Sequence, residues 1–91
     1  MSTFFVVCTF KPGATEEAIR ALVPAEQTAA SALQAAGRIG AIHIAPPPQR
    51  KVFIEVDASD LAAAERAVRE LPMATLWDLD VYPVVAPPPT A

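Results

Sequence analysis

The sequence predicts a single α+β domain with the element order β-α-β-β-α-β. Three observations predict it. Four short runs rich in β-branched and aromatic residues alternate with two stretches whose apolar residues recur at helical spacing. Most prolines and glycines fall between those runs, where they act as breaks. The second and third strand runs are separated only by "PPPQR", which leaves room for a hairpin and none for a helix.

The elements follow in order. Residues 3–10, "TFFVVCTF", read as the first strand, closed by Lys11-Pro12-Gly13. Thr15 offers an N-cap for the first helix, and Glu16 and Glu17 occupy its first turn, where the helix dipole favours acids. That helix is expected to run to about Ala36, with Gly37 as its stop. Residues 38–45, "RIGAIHIA", form the second strand and 51–57, "KVFIEVD", the third. Ser59 or Asp57 is expected to cap a second helix over about 60–71, with Leu61, Ala64, Val68 and Leu71 as its apolar stripe. Glu65–Arg69 and Arg66–Glu70 are i,i+4 pairs on its solvated side, each contributing about 0.2–0.5 kcal/mol. Pro72 ends that helix. "WDLDVYPVV" is the fourth strand, and Pro83 within it points to an edge or a bulge. The domain spans 1–85, followed by a proline-rich tail over 86–91, either loose or laid on a neighbour. No internal sequence repeat is present.

This order builds a four-stranded antiparallel sheet with two helices on one face, the ferredoxin-like arrangement. In the first strand Phe4, Val6, Cys8 and Phe10 point one way, and Phe5, Val7 and Thr9 the other. Both sets are mainly apolar, so both faces call for burial. The helices cover one. Another subunit's sheet is the natural cover for the second, which predicts a homodimer or larger ring built as a dimeric α+β barrel. Composition agrees: 53% of the 91 residues are apolar, and a domain of this size hides only about 60% of its unfolded surface.

Charge and residue usage exclude several classes. The net charge is −3 and Arg50-Lys51 is the longest basic run, which argues against nucleic-acid binding. The single cysteine, Cys8, has no internal partner; in an apolar run it reads as a small buried filler and fits a reducing, cytoplasmic setting. "FFVVCTF" is too short to span a membrane and has no basic lead-in, so no membrane partner is expected. One His and one Cys do not make a typical metal site, and three scattered glycines make no phosphate loop, so neither metal nor cofactor is expected.

The informative anomaly is Glu26. Ile19, Leu22, Val23, Ala29, Ala30 and Leu33 share one sector of the first helix, and Glu26 falls near its middle. Arg20, Gln27, Thr28, Ser31 and Gln34 all fall outside it. Splitting the helix at Pro24 does not move Glu26 off the stripe. A desolvated carboxylate takes up a proton, finds a partner or opens a wet cavity. Its stripe neighbours are mostly alanines, which leave room for a small ligand between helix and sheet. Two readings stand: a general acid/base of raised pKa, or an acid paired with Arg38, Arg50 or Lys51.

"LQAAG", "FIEVDASD" and "LPMATLWDLDVYPV" resemble the muconolactone Δ-isomerase family. The resemblance rests on Leu33, Gln34 and Gly37; on Ile54, Glu55 and Val56; and on Leu71, Pro72, Asp78, Leu79, Asp80, Val81 and Pro83. It covers nearly the whole chain. It implies a ferredoxin-like fold, dimers and larger rings, and cofactor-free proton shuttling on a small lactone, with Glu26 aligned to the family's helix-one glutamate. The chain departs from the family at Gln27, where the family has lysine. It departs again over Ile39–Ile44, where the family has a Trp-Arg-His-x-Trp-Arg run. Without those arginines a neutral, more apolar substrate is implied, lactone or polyketide-like. Within the wider superfamily, cyclases and cofactor-free oxygenases of aromatics are analogues at the level of fold.

His43 is the only histidine and a candidate second acid/base group opposite Glu26. Strand alternation groups it with Ile39, Ala41 and Ala45, against Ile42 and Ile44. The alternative is a structural histidine. Leu22, Ala30, Ile42, Trp77 and Tyr82 are candidate substrate contacts; Trp77 and Tyr82 read equally as core or interface residues. Asp78 and Asp80 read as a solvated edge. The leading expectation is a cofactor-free isomerase or cyclase with Glu26 as base and acid. The alternatives are a non-catalytic homo-oligomer that binds a small apolar molecule, and a cofactor-free monooxygenase with Trp77 near an aromatic substrate.

Overall fold

β-Branched and aromatic density makes β1 (Ser2–Phe10) a central strand in the computed structural model, which describes residues 2–88. The tail expected over 86–91 lies outside the described residues from 89 onward. β1 is followed by α1 (Glu16–Ala35), β2 (Ile39–Ala45), β3 (Lys51–Ala58), α2 (Leu61–Arg69), a short 3-10 helix (Pro72–Leu76) and β4 (Trp77–Val84). The sheet order is β2-β3-β1-β4 and every neighbouring pair is antiparallel. The expected α+β, ferredoxin-like architecture is therefore present. β4 is an edge strand, which is why Pro83 is tolerated in it.

The core lies between the sheet and the helices. Phe4, Val6 and Cys8 of β1 meet Val52, Ile54 and Val56 of β3, all buried. Ala64, Ala67 and Val68 of α2 close over them, with Leu71, Met73, Ala74 and Trp77 beyond. Among the described residues no helix is long and apolar enough to cross a membrane.

Local chemistry sets the helix ends. The Thr15 hydroxyl accepts from the Ala18 N–H at 3.1 Å. α1 then runs through Pro24 without interruption and ends at Ala35. Gly37, at φ +74°, turns the chain, with Gly37 N–H on Gln34 O and Arg38 N–H on Leu33 O, both at 3.0 Å, a Schellman ending.

Four expectations are corrected. α2 is capped by Asp60, whose carboxylate accepts from the Ala63 N–H at 2.7 Å, and not by Ser59 or Asp57. Asp57 instead accepts from the Thr3 hydroxyl at 3.1 Å across the sheet. α2 stops at Arg69, and Pro72 opens the 3-10 helix, where its missing N–H costs nothing. Leu61 is 48% exposed, so the buried stripe is Ala64, Ala67 and Val68. Glu65 does pair with Arg69 at 3.1 Å, but Glu70 pairs with Arg38 rather than Arg66, drawing the α1–β2 junction onto the end of α2.

The remaining correction bears on function. A register shift between Ile39 and Ile42 marks a bulge in β2. Ile39 stands opposite Val56 and Ile42 opposite Ile54, so both face the helices. Ile39 therefore joins Ile42 and Ile44, and His43, opposite Phe53, is left on the far face. Gln34 of α1 supports the bulge by donating to Gly40 O at 3.0 Å.

Candidate functional site

Ile19, Leu22, Val23, Ala29 and Ala30 on the sheet-facing side of α1 pack against the core. Glu26 sits half-buried among them, on the side helical periodicity assigns to it. Its Oε1 accepts a hydrogen bond from the Met73 N–H at 2.9 Å. That donor belongs to the 3-10 helix, whose N-terminus carries no side-chain cap of its own. Glu26 thus caps, from another element, an N–H that would otherwise be unpaired.

The three cations considered as partners are occupied elsewhere. Arg38 pairs with Glu70, Lys51 donates to the Thr9 hydroxyl at 2.8 Å, and Arg50 lies over the Phe10 ring at 5.9 Å. Among the described residues the ion pairs are Arg38–Glu70 and Arg69–Glu65, and neither involves Glu26. Burial pushes the Glu26 carboxyl above its ordinary value, and the Met73 N–H offsets part of that rise. The Cys8 thiol beneath is pushed up to about 12, first by its own burial and then by the Glu26 charge. At neutral pH Cys8 is an unreactive thiol, as its place in the apolar run predicts.

A cavity of about 420 Å³ lies between the N-terminal half of α1 and the β2–β3 end of the sheet. Its apolar wall is made chiefly by Phe10, Ile19, Val23, Ile44, Val52 and Met73, and its charged residues are Glu16, Arg20 and Arg50. Ala45, Pro46 and Pro47 complete it. The cavity and Glu26 meet at Met73, which lines the one and hydrogen-bonds the other. Glu26 itself is not part of the wall.

The residues proposed from sequence divide between two faces. Leu22, Ala30 and Ile42 pack against the helix-side core with Glu26, and Trp77 is buried in that layer with its indole N–H unpaired. Trp77 meets Phe10 edge-on, with ring centroids 6.0 Å apart. None of Leu22, Ala30, Ile42 or Trp77 lines the cavity, which lies toward the start of α1. Tyr82 and His43 are on the opposite, open face, so His43 shares no pocket with Glu26 within one chain. There His43, Phe53, Val7 and Asp80 form one cross-strand row, and Phe5 stacks on Phe53 at 5.9 Å. Asp78 and Asp80 are exposed on the β4 edge.

Sequence reasoning missed Arg20, Arg50, Phe10 and Met73. Arg20 lies off the apolar stripe, and only the reach of its side chain brings it to the cavity. The signal for Arg50 was its place at the end of the proline loop, where it takes the left-handed conformation, φ +52°. No family model matches the chain, and no curated protein matches it.

Proposed function

We propose that this protein is a cofactor-free isomerase or cyclase that moves a proton on a small, largely apolar substrate, with Glu26 as the acid–base group. One observation carries this reading: a half-buried carboxyl of raised pKa, unpaired with any described cation, hydrogen-bonded to the backbone of a residue that lines a 420 Å³ apolar cavity. A carboxyl whose pKa is raised by burial is, once ionised, a stronger base than a free carboxylate. The motif resemblance to muconolactone Δ-isomerases supports the same class of reaction. With His43 across the sheet, Glu26 works alone in its chain. It takes a proton from carbon next to a carbonyl, leaving an enolate, and returns it at the far end of the conjugated system on the same face.

The test uses β,γ-unsaturated lactones and ketones, following the ultraviolet band of the conjugated product and deuterium uptake at the γ-carbon. Glu26→Gln is expected to lower turnover about 10²–10⁴-fold while calorimetric affinity stays within about twofold. Equal turnover in Glu26→Gln would overturn the reading. The competing reading is a binding protein without chemistry. The position of Glu26 behind the cavity wall favours it, and so does its role as a cap on Met73. Binding without deuterium uptake in the wild type would establish it.

The partner on the open face is, in this reading, a second copy of the chain. Phe5, Val7 and Phe53 are only partly covered there, and Tyr82 is 52% exposed. His43 and Lys51 lie toward the β2 side, Asp78 and Asp80 on β4. A two-fold axis along the strands lays β2 of one copy over β4 of the other, bringing His43 and Lys51 toward Asp78 and Asp80 of the second copy around an apolar centre. Sedimentation of Phe5→Asp against the wild type tests this: a dimer reduced to monomer supports it, and a monomeric wild type sinks it.

A further inference from the structure

We infer that the cavity under α1 takes an amphipathic carboxylic acid, its apolar body inside and its carboxylate held at Arg20 and Arg50. This rests on the reading of the cavity as the substrate site, and it names the class of molecule.

The wall chemistry selects an apolar body. Phe10, Ile19, Val23, Val52 and Met73 offer hydrocarbon and thioether surface, and about 420 Å³ is within the range of small-molecule sites, about 300–1,000 Å³. The charged groups select the other end. Two arginines line the same cavity from different elements, α1 and the β2–β3 loop, against one acid, Glu16. This occurs in a chain of net charge −3, so the local excess of cations is not a general property of the surface. Arg20 and Arg50 take no part in the two ion pairs found among the described residues. Arg50 is held on the wall, over Phe10 at 5.9 Å, by a backbone conformation that residues other than glycine rarely adopt. Its fork is therefore placed at the cavity, and a planar carboxylate matches it with two parallel hydrogen bonds.

The interior is compatible with an anion at the mouth. Glu26 lies behind the wall and is not part of it, so its carboxyl does not meet a carboxylate held at the mouth.

Calorimetry with 4-phenylbutyrate and its neutral isostere 4-phenylbutanamide tests this on the full chain. The wild type is expected to bind the acid about tenfold more tightly than the amide, and in Arg20→Gln/Arg50→Asn the ratio of the two affinities is expected to fall to about one. Asparagine tolerates the left-handed conformation at position 50, and each single substitution is measured beside the pair. Arg38→Gln, away from the cavity, should leave the preference intact. Equal affinity for acid and amide in the wild type, or a preference that survives loss of both arginines, overturns the anion anchor while leaving the cavity as a binding site. Val23→Trp fills the cavity. If it leaves both affinities unchanged, or if neither probe binds the wild type, the cavity reading itself fails and the inference with it.

Discussion

The two helices lie on the same sheet and are held to it differently. α2 has nine residues and buries Ala64, Ala67 and Val68 completely or nearly so. α1 has twenty and fully buries only Leu33. The short helix approaches the sheet through small residues and a β-branched one, leaving no gap. The long one crosses it on partly covered side chains, with a carboxyl beneath its middle and a cavity beneath its first half. Packing density is what resists mutation, and looseness is what admits a ligand. The two helices therefore differ in role: α2 and the residues after it hold the domain together, and α1 roofs the cavity.

Substitutions under the two helices should differ most in stability. Leu71→Ala, in the fully packed segment after α2, is expected to cost about 2–5 kcal/mol, and Leu22→Ala on α1 about 1 kcal/mol, because Leu22 is already partly in water. Urea denaturation of both reads the contrast, and equal losses would break it.

The pH response comes next, and the part that burial sets belongs to α1. The Glu26 carboxyl is raised on folding, so the native chain holds its proton at pH values where the unfolded chain has released it. The Glu26 contribution is fully present below the ordinary value of 4.5 and is lost as pH rises through the raised native value. Glu26→Gln should remove this part of the decline, so the stability of the variant relative to wild type should increase from pH 4 upward. A difference that stays flat with pH would place the carboxyl in solvent.

Smaller effects sharpen the comparison at the helix ends. Asp60→Ala removes the α2 cap and should cost about 1 kcal/mol, with Thr15→Ala costing a similar amount at α1. Because α2 is packed and α1 is not, native-state hydrogen exchange should show the Thr15 variant fraying locally and the Asp60 variant losing global stability. Last is Glu65→Ala, which breaks an exposed i,i+4 pair and should change stability by only about 0.3 kcal/mol in thermal melts.

Much of this was legible in the chain itself. Strand density, the Thr15 and Gly37 signals and the wheel position of Glu26 are local properties, and each element formed where they indicated. The bulge in β2 was not read from the sequence: strict alternation puts Ile39 and Ile42 on opposite faces, and only pairing against β3 shows that one extra residue places them on the same face. The bulge moves Ile39 to the helix side, away from His43, because side-chain direction in a strand has period two. The α2 cap moved by one residue because Ser59, Asp57 and Asp60 all cap well in isolation. Asp57 was taken by Thr3 from another strand.

The sequence by itself determined the order of elements, the alternation of β1 and the presence of an acid on the sheet side of the first helix, because these depend on residues a few positions apart. Only the tertiary structure decided which donor meets that acid, which cations stay away from it, and where the cavity opens. Those outcomes depend on Met73 lying 47 positions from Glu26, and on Arg20 and Arg50 converging from separate elements. Such contacts are set by how the layers pack, and no local periodicity encodes them.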